Sequence, residues 1–208
     1  MAGSRWSAVA AALRAITPVC AAHDPDGIDV YFLNHRSTHR AAHKPSGGYY
    51  DVSSPAMVDD IFRRVHPSGR TPTGCRLQDI LKAYMDQLQR NMDAVRPMNI
   101  IVITDGSPTD DPEGVLVQNA RRLDSLNAPG FQVGVQFFQI GNDASAREAL
   151  RELDDGLSQQ GVRDMVDAVT WDNAASGQQG LELTSNGILK VVLGAVVRRL
   201  DRRDMSRR

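Results

Sequence analysis

The sequence predicts a doubly wound α/β domain, a mostly parallel β-sheet with helices on both faces, built as a single domain over residues 1–208. Three observations predict it. Residues 28–33, 99–104 and 133–140 are β-branched and aromatic runs with few polar residues, as suits strands covered on both faces. Between them lie segments whose apolar residues recur at helical spacing. The chain of 208 residues, 41% hydrophobic and 24% charged, is long enough to bury one real core. Parallel strands need crossover connections, and helical crossovers cover the sheet faces.

In order, a helix is expected over residues 4–22, where Trp6, Val9, Leu13, Ile16 and Cys20 form an apolar stripe that must lie against another surface. His23-Asp24-Pro25-Asp26-Gly27 ends it with turn chemistry. Residues 28–33, polar only at Asp29, read as a strand. Residues 34–48 are polar and broken by Gly and Pro, hence a loop, and 49–52 suit a short edge strand. Pro55 opens a second helix with Met57, Val58, Ile61, Phe62 and Val65 on its apolar face. After a loop at 66–74, Leu77, Ile80, Leu81, Tyr84 and Leu88 mark a third helix. Residues 99–104 are the most strand-like run, stopped by Asp105-Gly106. Asp110-Asp111-Pro112 is a capping and first-turn signature for a helix to about Asn127. The strand at 133–140 feeds a turn at Gly141-Asn142-Asp143 and a helix through Leu153. A weak strand at 165–171 and a terminal helix near 186–200 complete the pattern, with no internal repeat.

Charge excludes several function classes. With 24 Lys and Arg against 25 Asp and Glu, no overall field draws the chain to nucleic acid or to an anionic membrane. The longest apolar run, 191–197, falls far short of the roughly 20 residues of a membrane span. Cys20 and Cys75 are too few for a disulfide framework or a Cys-based zinc site, so a reduced, cytoplasmic setting is expected. Arg5 and the Ala-rich start imitate a signal peptide, but Arg14 interrupts its apolar region and the helical stripe accounts for the same residues.

Ligands of doubly wound sheets bind outside the carboxyl ends of the strands, which directs attention to the loops after Leu33, Thr104 and Ile140. The loop 69–74 offers the hydroxyls of Thr71 and Thr73, and the strand end at Thr104 offers the adjacent carboxylate of Asp105. Such oxygens suit a hard cation like Mg²⁺, which favours octahedral oxygen ligands and retains waters. The plainer account is that Thr71 or Thr73 caps the following helix and Asp105 sits in a turn.

Taken together, "GRTPTG" followed about thirty residues later by "IIVITDGSPTDDP" resembles the second and third parts of the metal-ion-dependent adhesion site of von Willebrand factor type A (VWA) domains. The ordered blocks "DGIDVYFLN", "GVQFFQIGND", "LRELDDGL", "RDMVDAV" and "ILKVVLGAVVRRLD" are similar to the intracellular, fungal type of these proteins, and more distantly to copine-type domains. The resemblance implies a Rossmann-like fold and a non-enzymatic adhesion or scaffold module that binds protein through a Mg²⁺ or Mn²⁺ ion. Thr71 would bind the metal, Asp105 would reach it directly or through a water, and Thr73 would support the loop, its hydroxyl available to cap the helix. One metal position would stay open for an acidic side chain of a protein partner.

The family's first motif, Asp-x-Ser-x-Ser at the end of the first central strand, is where this sequence departs. Relatives read like "DxSGSM" just before the first helix, and Met1 matches the closing methionine. The resemblance therefore implies an N-terminally incomplete domain whose first strand, aspartate and two serines lie upstream. A central strand contributes on the order of 8–15 kcal/mol through about five buried side chains, as much as a typical domain's net stability of about 5–15 kcal/mol. Without it, the chain is expected to be marginal or aggregation-prone at its open strand edges, unless the strands at Ile28 and Ile100 pair directly. Two protein ligands would hold the ion weakly or not at all in the chain as written.

Other features have plainer explanations. His35, His39 and His43 would align three imidazoles only in a helix, and their surroundings predict a solvated loop. Asp110 and Asp111 are explained by capping of the helix that starts at Pro112, and Asp154 and Asp155 by a helix end. Arg198, Arg199, Arg202, Arg203, Arg207 and Arg208 suit a solvated helix terminus. Two rival functions stand beside the resemblance. One is a metal-independent interaction scaffold. The other is a Mg²⁺-dependent phosphoryl-transfer enzyme, which also places an aspartate at a strand end but needs a second carboxylate, a lysine or a phosphate-cradling loop. No Gly-x-x-x-x-Gly-Lys, Gly-x-Ser-x-Gly or strand-end Asp-x-Asp occurs.

Overall fold

The computed structural model describes residues 1–171; the expected terminal helix and the arginine cluster at 198–208 lie outside the described residues. The fold is mixed α/β. Helix α1 (Ser4–His23) leads to strands β1 (Ile28–Val30) and β2 (Tyr49–Val52), then to helices α2 (Pro55–Arg64) and α3 (Thr73–Arg90). A short 3₁₀ turn precedes β3 (Met98–Thr104), and α4 (Pro112–Ser125), β4 (Val133–Ile140), α5 (Ala144–Gln159) and β5 (Val166–Trp171) follow.

Strands β3, β4 and β5 form a parallel sheet in that order, with Met98 opposite Val133 and Val135 opposite Val166. Strand β4 lies between the other two and is buried at every position, which suits its mainly apolar sequence, broken only by the buried Gln136 and Gln139 among its larger side chains. Val133, Val135 and Phe137 pack with Leu77, Leu81, Leu116, Leu123, Leu150 and Leu157, so α3, α4 and α5 cover one face of the sheet. Helix α1 covers the other, where Ala12 and Ile16 meet Ile101. Helices on both faces of a parallel sheet are the layered arrangement expected from the sequence.

The expected strand at 28–33 is shorter than predicted, ending at Val30, and it pairs with β2 in the antiparallel sense. Its one polar residue explains part of the difference. The Asp29 carboxylate takes Lys44 Nζ at 2.8 Å and the Asp51 backbone amide at 3.2 Å, so this strand faces solvent where a core strand would not. Beyond it, the Phe32 carbonyl is held by the Arg76 guanidinium. Ile28, Val30, Phe32, Trp6 and Leu13 pack around Val52, Val58, Ile61 and Val65 in a second cluster. Among the described residues β1 and β3 share no ladder, so direct pairing of the strands at Ile28 and Ile100 does not occur.

Helix α5 also runs further than predicted, to Gln159. Asp154 and Asp155 therefore sit within the helix and not at its end. Leu150, Leu153 and Leu157 continue its buried stripe past the two aspartates at the spacing of successive turns. The stretch 34–48 is a loop, as expected, and His43 has a positive φ incompatible with a three-histidine helical face.

Candidate functional site

Four loops meet at the carboxyl ends of the strands. Asn34, after β1, donates from Nδ2 to the Ser68 carbonyl at 2.5 Å and the Arg70 carbonyl at 2.6 Å. Thr109, after β3, donates its amide to the Thr71 carbonyl at 2.9 Å. The Ser107 and Ser145 hydroxyls lie 3.1 Å apart and join the loop after β3 to the start of α5. Three predicted loops and the loop at 66–72 thus form one continuous ridge, where an α/β sheet places its ligands.

Thr71 and Asp105 both lie on this ridge. Asp105 follows β3 directly and is partly buried, its side chain 21% exposed. Its Oδ1 is 2.9 Å from the Met1 α-amino group, and its Oδ2 is 3.4 Å from Arg5 Nη1. Arg5 comes from the first turn of α1 and Met1 from the residues before it. Arg5 also lies against Gly141, which has a φ of +93°; an added Cβ there would sit 2.7 Å from a guanidinium nitrogen. The turn after β4 is thereby open to the arginine because it carries no side chain.

Thr73 does not cap α3, as proposed for it or for Thr71. It is the first helical residue, 2% exposed, and its hydroxyl is 3.5 Å from the Thr71 carbonyl. Pro72 precedes it and provides no side-chain cap. The cap comes from elsewhere: Asp110 Oδ1 accepts the Gly74 amide at 2.9 Å and its Oδ2 accepts the Cys75 amide at 2.8 Å. Asp110 was expected to cap the helix at Pro112, yet that duty falls to Asp111 alone, which accepts the Gly114 amide at 2.9 Å. Burial pushes the Asp110 carboxyl up, but the amides of Cys75 and Gly74 outweigh it and hold it below the ordinary carboxylate value. The hydrogen bond and charge of the same carboxylate push the Cys75 thiol up. Gly74 permits the close approach, since a Cβ would lie 2.7 Å from the Asp111 carbonyl oxygen.

Asp143 repeats the capping device at α5, accepting the Ser145 and Ala146 amides at 2.9 and 3.0 Å. The Ser145 hydroxyl and these amides hold its carboxyl below the usual range. Asp154 is the opposite case. Burial, with the neighbouring Asp167 charge, pushes its carboxyl up. His35 stacks on Tyr49, with an imidazole nitrogen 3.0 Å from the phenol oxygen, and takes part in no metal cluster. Among the described residues no group of three or more His, Cys, Asp and Glu side chains converges.

The donor set does not fit a divalent cation as it stands. Asp105 Oδ2 faces the Arg5 guanidinium at 3.4 Å, Asp110 gives both oxygens to α3, and the Thr73 hydroxyl lies against a carbonyl. An ion at Thr71 and Asp105 would compete with the Arg5 guanidinium for that carboxylate.

One residue of this region was missed in the sequence. Arg76 is 3% exposed, and its Nη2 donates to the Phe32 and His35 carbonyls, the second at 2.9 Å, while its guanidinium lies over the Tyr31 ring. It ties the exit of β1 to the first turn of α3. Its position beside Leu77 and four before Ile80 places it on the buried side of that helix, which is the signal that was available. The chain matches no protein-family model, and no curated protein is similar to it.

Proposed function

We propose that this chain is a non-enzymatic protein-binding module of the von Willebrand factor type A class, with the ridge at the carboxyl ends of β1, β3 and β4 as its binding face. The order of its elements and the placement of Thr71 and Asp105 on one ridge support that reading. The observation that carries it is the engagement of the carboxylates. Asp105 faces the Arg5 guanidinium, and Asp110 is committed to backbone amides, so neither of these two carboxylates stands free as a nucleophile or metal ligand for phosphoryl transfer.

Binding of a partner through an acidic side chain takes one of two forms. In the cation-dependent form, Asp105 and Thr71 would hold Mg²⁺ or Mn²⁺, which would supply a positive charge for the acidic group once Arg5 had moved from Asp105. In the metal-independent form, Arg5 itself meets the acidic group, and the exposure of its guanidinium beside Asp105 favours this one. Titration of Mg²⁺ and Mn²⁺ by calorimetry, on the chain and on Asp105→Ala, decides between them. Saturable heat lost in the variant supports the cation-dependent form, and absence of heat in both overturns it. Phosphate release from a generic phosphomonoester, abolished in Asp105→Asn, overturns the non-enzymatic reading.

A further inference from the structure

The loop at 34–48, between β1 and β2, lies along helix α3. Arg76 Nη2 donates to the His35 carbonyl at 2.9 Å, Arg36 Nη1 is 2.8 Å from Asp79 Oδ2, and Gln87 Nε2 donates to the His43 carbonyl at 2.5 Å. The anchors follow the same order on loop and helix, and from residue 76 to residue 87 an α-helix rises about 16 Å. Bonds within the loop fix it further. The Ser37 amide donates to the Gly47 carbonyl at 3.2 Å, the Tyr50 hydroxyl donates to the Pro45 carbonyl at 2.6 Å, and the His39 ring meets Tyr49 with centroids 5.6 Å apart. Irregular loops of more than about 12–15 residues are uncommon in compact domains and are usually functional or disordered. This one is pinned through its backbone while Arg36 and Arg40 remain exposed.

Charges that nearly cancel over the whole chain, 24 basic against 25 acidic, do not cancel here. Residues 34–48 carry Arg36, Arg40 and Lys44, and the loop at 66–74, tied to them through Asn34, carries Arg70; neither segment contains an aspartate or a glutamate. Lys44 is engaged by Asp29 and Asp51 at 2.8 and 2.7 Å. Arg36 pairs with Asp79, but both side chains are about half exposed, and an ion pair so placed exchanges for another carboxylate at little cost. Arg40 and Arg70 are exposed and form no ion pair among the described residues.

We propose that the strip formed by the loop at 34–48 along α3, with Arg70 at its near end, binds an extended acidic peptide of a partner protein, whose carboxylates meet Arg36, Arg40 and Arg70. A strip about 16 Å long matches an extended segment of about five residues at roughly 3.3 Å each, in which alternate side chains share one face. A guanidinium binds a carboxylate through two parallel hydrogen bonds, and recognition of acidic segments by clustered arginines is a recurrent mode of peptide binding. The pinned backbone lowers the ordering cost of that encounter. Nucleic acid is the weaker match, because its binding rests on many phosphate contacts and the formal net charge of the chain is -1. The strip uses neither Thr71 nor Asp105, so it goes beyond the reading of the ridge and does not depend on it.

The test is fluorescence anisotropy on the full chain at low salt. The probe is the fluorescein-labelled peptide Gly-Glu-Thr-Glu-Thr-Glu-Gly, and its control carries glutamine in place of each glutamate. Saturable binding of the acidic probe and none of the control is expected. Arg40→Gln weakens it about tenfold, the worth of a charge-assisted hydrogen bond, and Arg36→Gln added to Arg40→Gln weakens it further. Among the described residues Arg40 makes no side-chain hydrogen bond, so its variant unfolds at the wild-type temperature and the loss reads binding alone. Binding that fails in Arg5→Gln and is unchanged in Arg40→Gln assigns the acidic segment to the ridge and overturns the strip. Tighter binding of an oligothymidylate, lost in Arg40→Gln, overturns the peptide as occupant. Absence of saturable binding of the acidic probe overturns the inference outright.

Discussion

The Asp110 carboxylate holds the first turn of a helix to which it does not belong, accepting the Gly74 amide at 2.9 Å from the far side of the loop after β3. Helix α3 starts after a proline and has no cap of its own, so its orphan amides depend on this distant group. Asp110→Ala is expected to cost about 1–2 kcal/mol, read as a lower urea midpoint with an unchanged slope. The pH dependence follows from the lowered carboxyl. Its stabilisation is present above the unfolded-state value and is lost as pH falls through the lower folded-state value. The difference between wild type and variant is therefore full at neutral pH and vanishes in acid; a difference independent of pH would rule the charged cap out.

Gly74→Ala tests the same junction by volume. The added Cβ would lie 2.7 Å from the Asp111 carbonyl oxygen and 3.0 Å from the Pro112 nitrogen, and both are backbone atoms that move only with α4. A loss of about 1–3 kcal/mol is expected, although alanine is the better helix former. Thermal unfolding that shows no loss would mean the two helix starts are more widely separated.

Asp154→Asn should stabilise the protein at neutral pH. Burial raises this carboxyl in the fold, so its charged form weakens the folded state, and that penalty grows as pH rises from the unfolded-state value through the folded-state one. Removing the charge relieves it. Chemical denaturation at pH 7 should show the variant ahead of wild type, and at pH 3 the two should converge.

Arg76→Met removes a buried cation together with the donor to the Phe32 and His35 carbonyls. Methionine keeps much of the length but leaves both carbonyls without that donor, at an expected cost of about 1–3 kcal/mol. Exchange at the amides of residues 31–36 should accelerate in this variant more than exchange in β4. A uniform acceleration would show that Arg76 supports the core generally and not the exit of β1.

Much of the architecture was legible because period and burial are local properties of sequence. The strand at 133–140 was located to the residue, since a short β-branched and aromatic run bounded by Gly130 and Gly141 has few alternatives, even with Gln136 and Gln139 inside it. Helix α5 was ended too early because Asp154 and Asp155 look like a terminus, whereas Leu157 continues its buried stripe. Asp29 was read as one polar residue in a core strand, and its partner Lys44 lies across a loop that periodicity does not describe. The site was legible as a place and less so as a set of bonds. Thr71 and Asp105 were expected together at the strand ends and both lie on the ridge there, but the exchange of capping duty from Thr73 to Asp110 depends on how two loops cross. No spacing rule contains that information.

The position of α1 also sets an order of events during synthesis. Ile16 finds Ile101 only after the whole stretch between them has been made, which at about 5–20 residues per second takes on the order of 4–17 s. Until then Ala12 and Ile16 have no sheet to cover. Trp6 and Leu13 can engage Phe62 and the β1–β2 hairpin much earlier. A nascent chain therefore carries a half-docked helix while the parallel sheet is still inside the ribosome or emerging from it. That interval is when a chaperone would meet this protein, and slowing translation between residues 66 and 98 should lengthen the encounter.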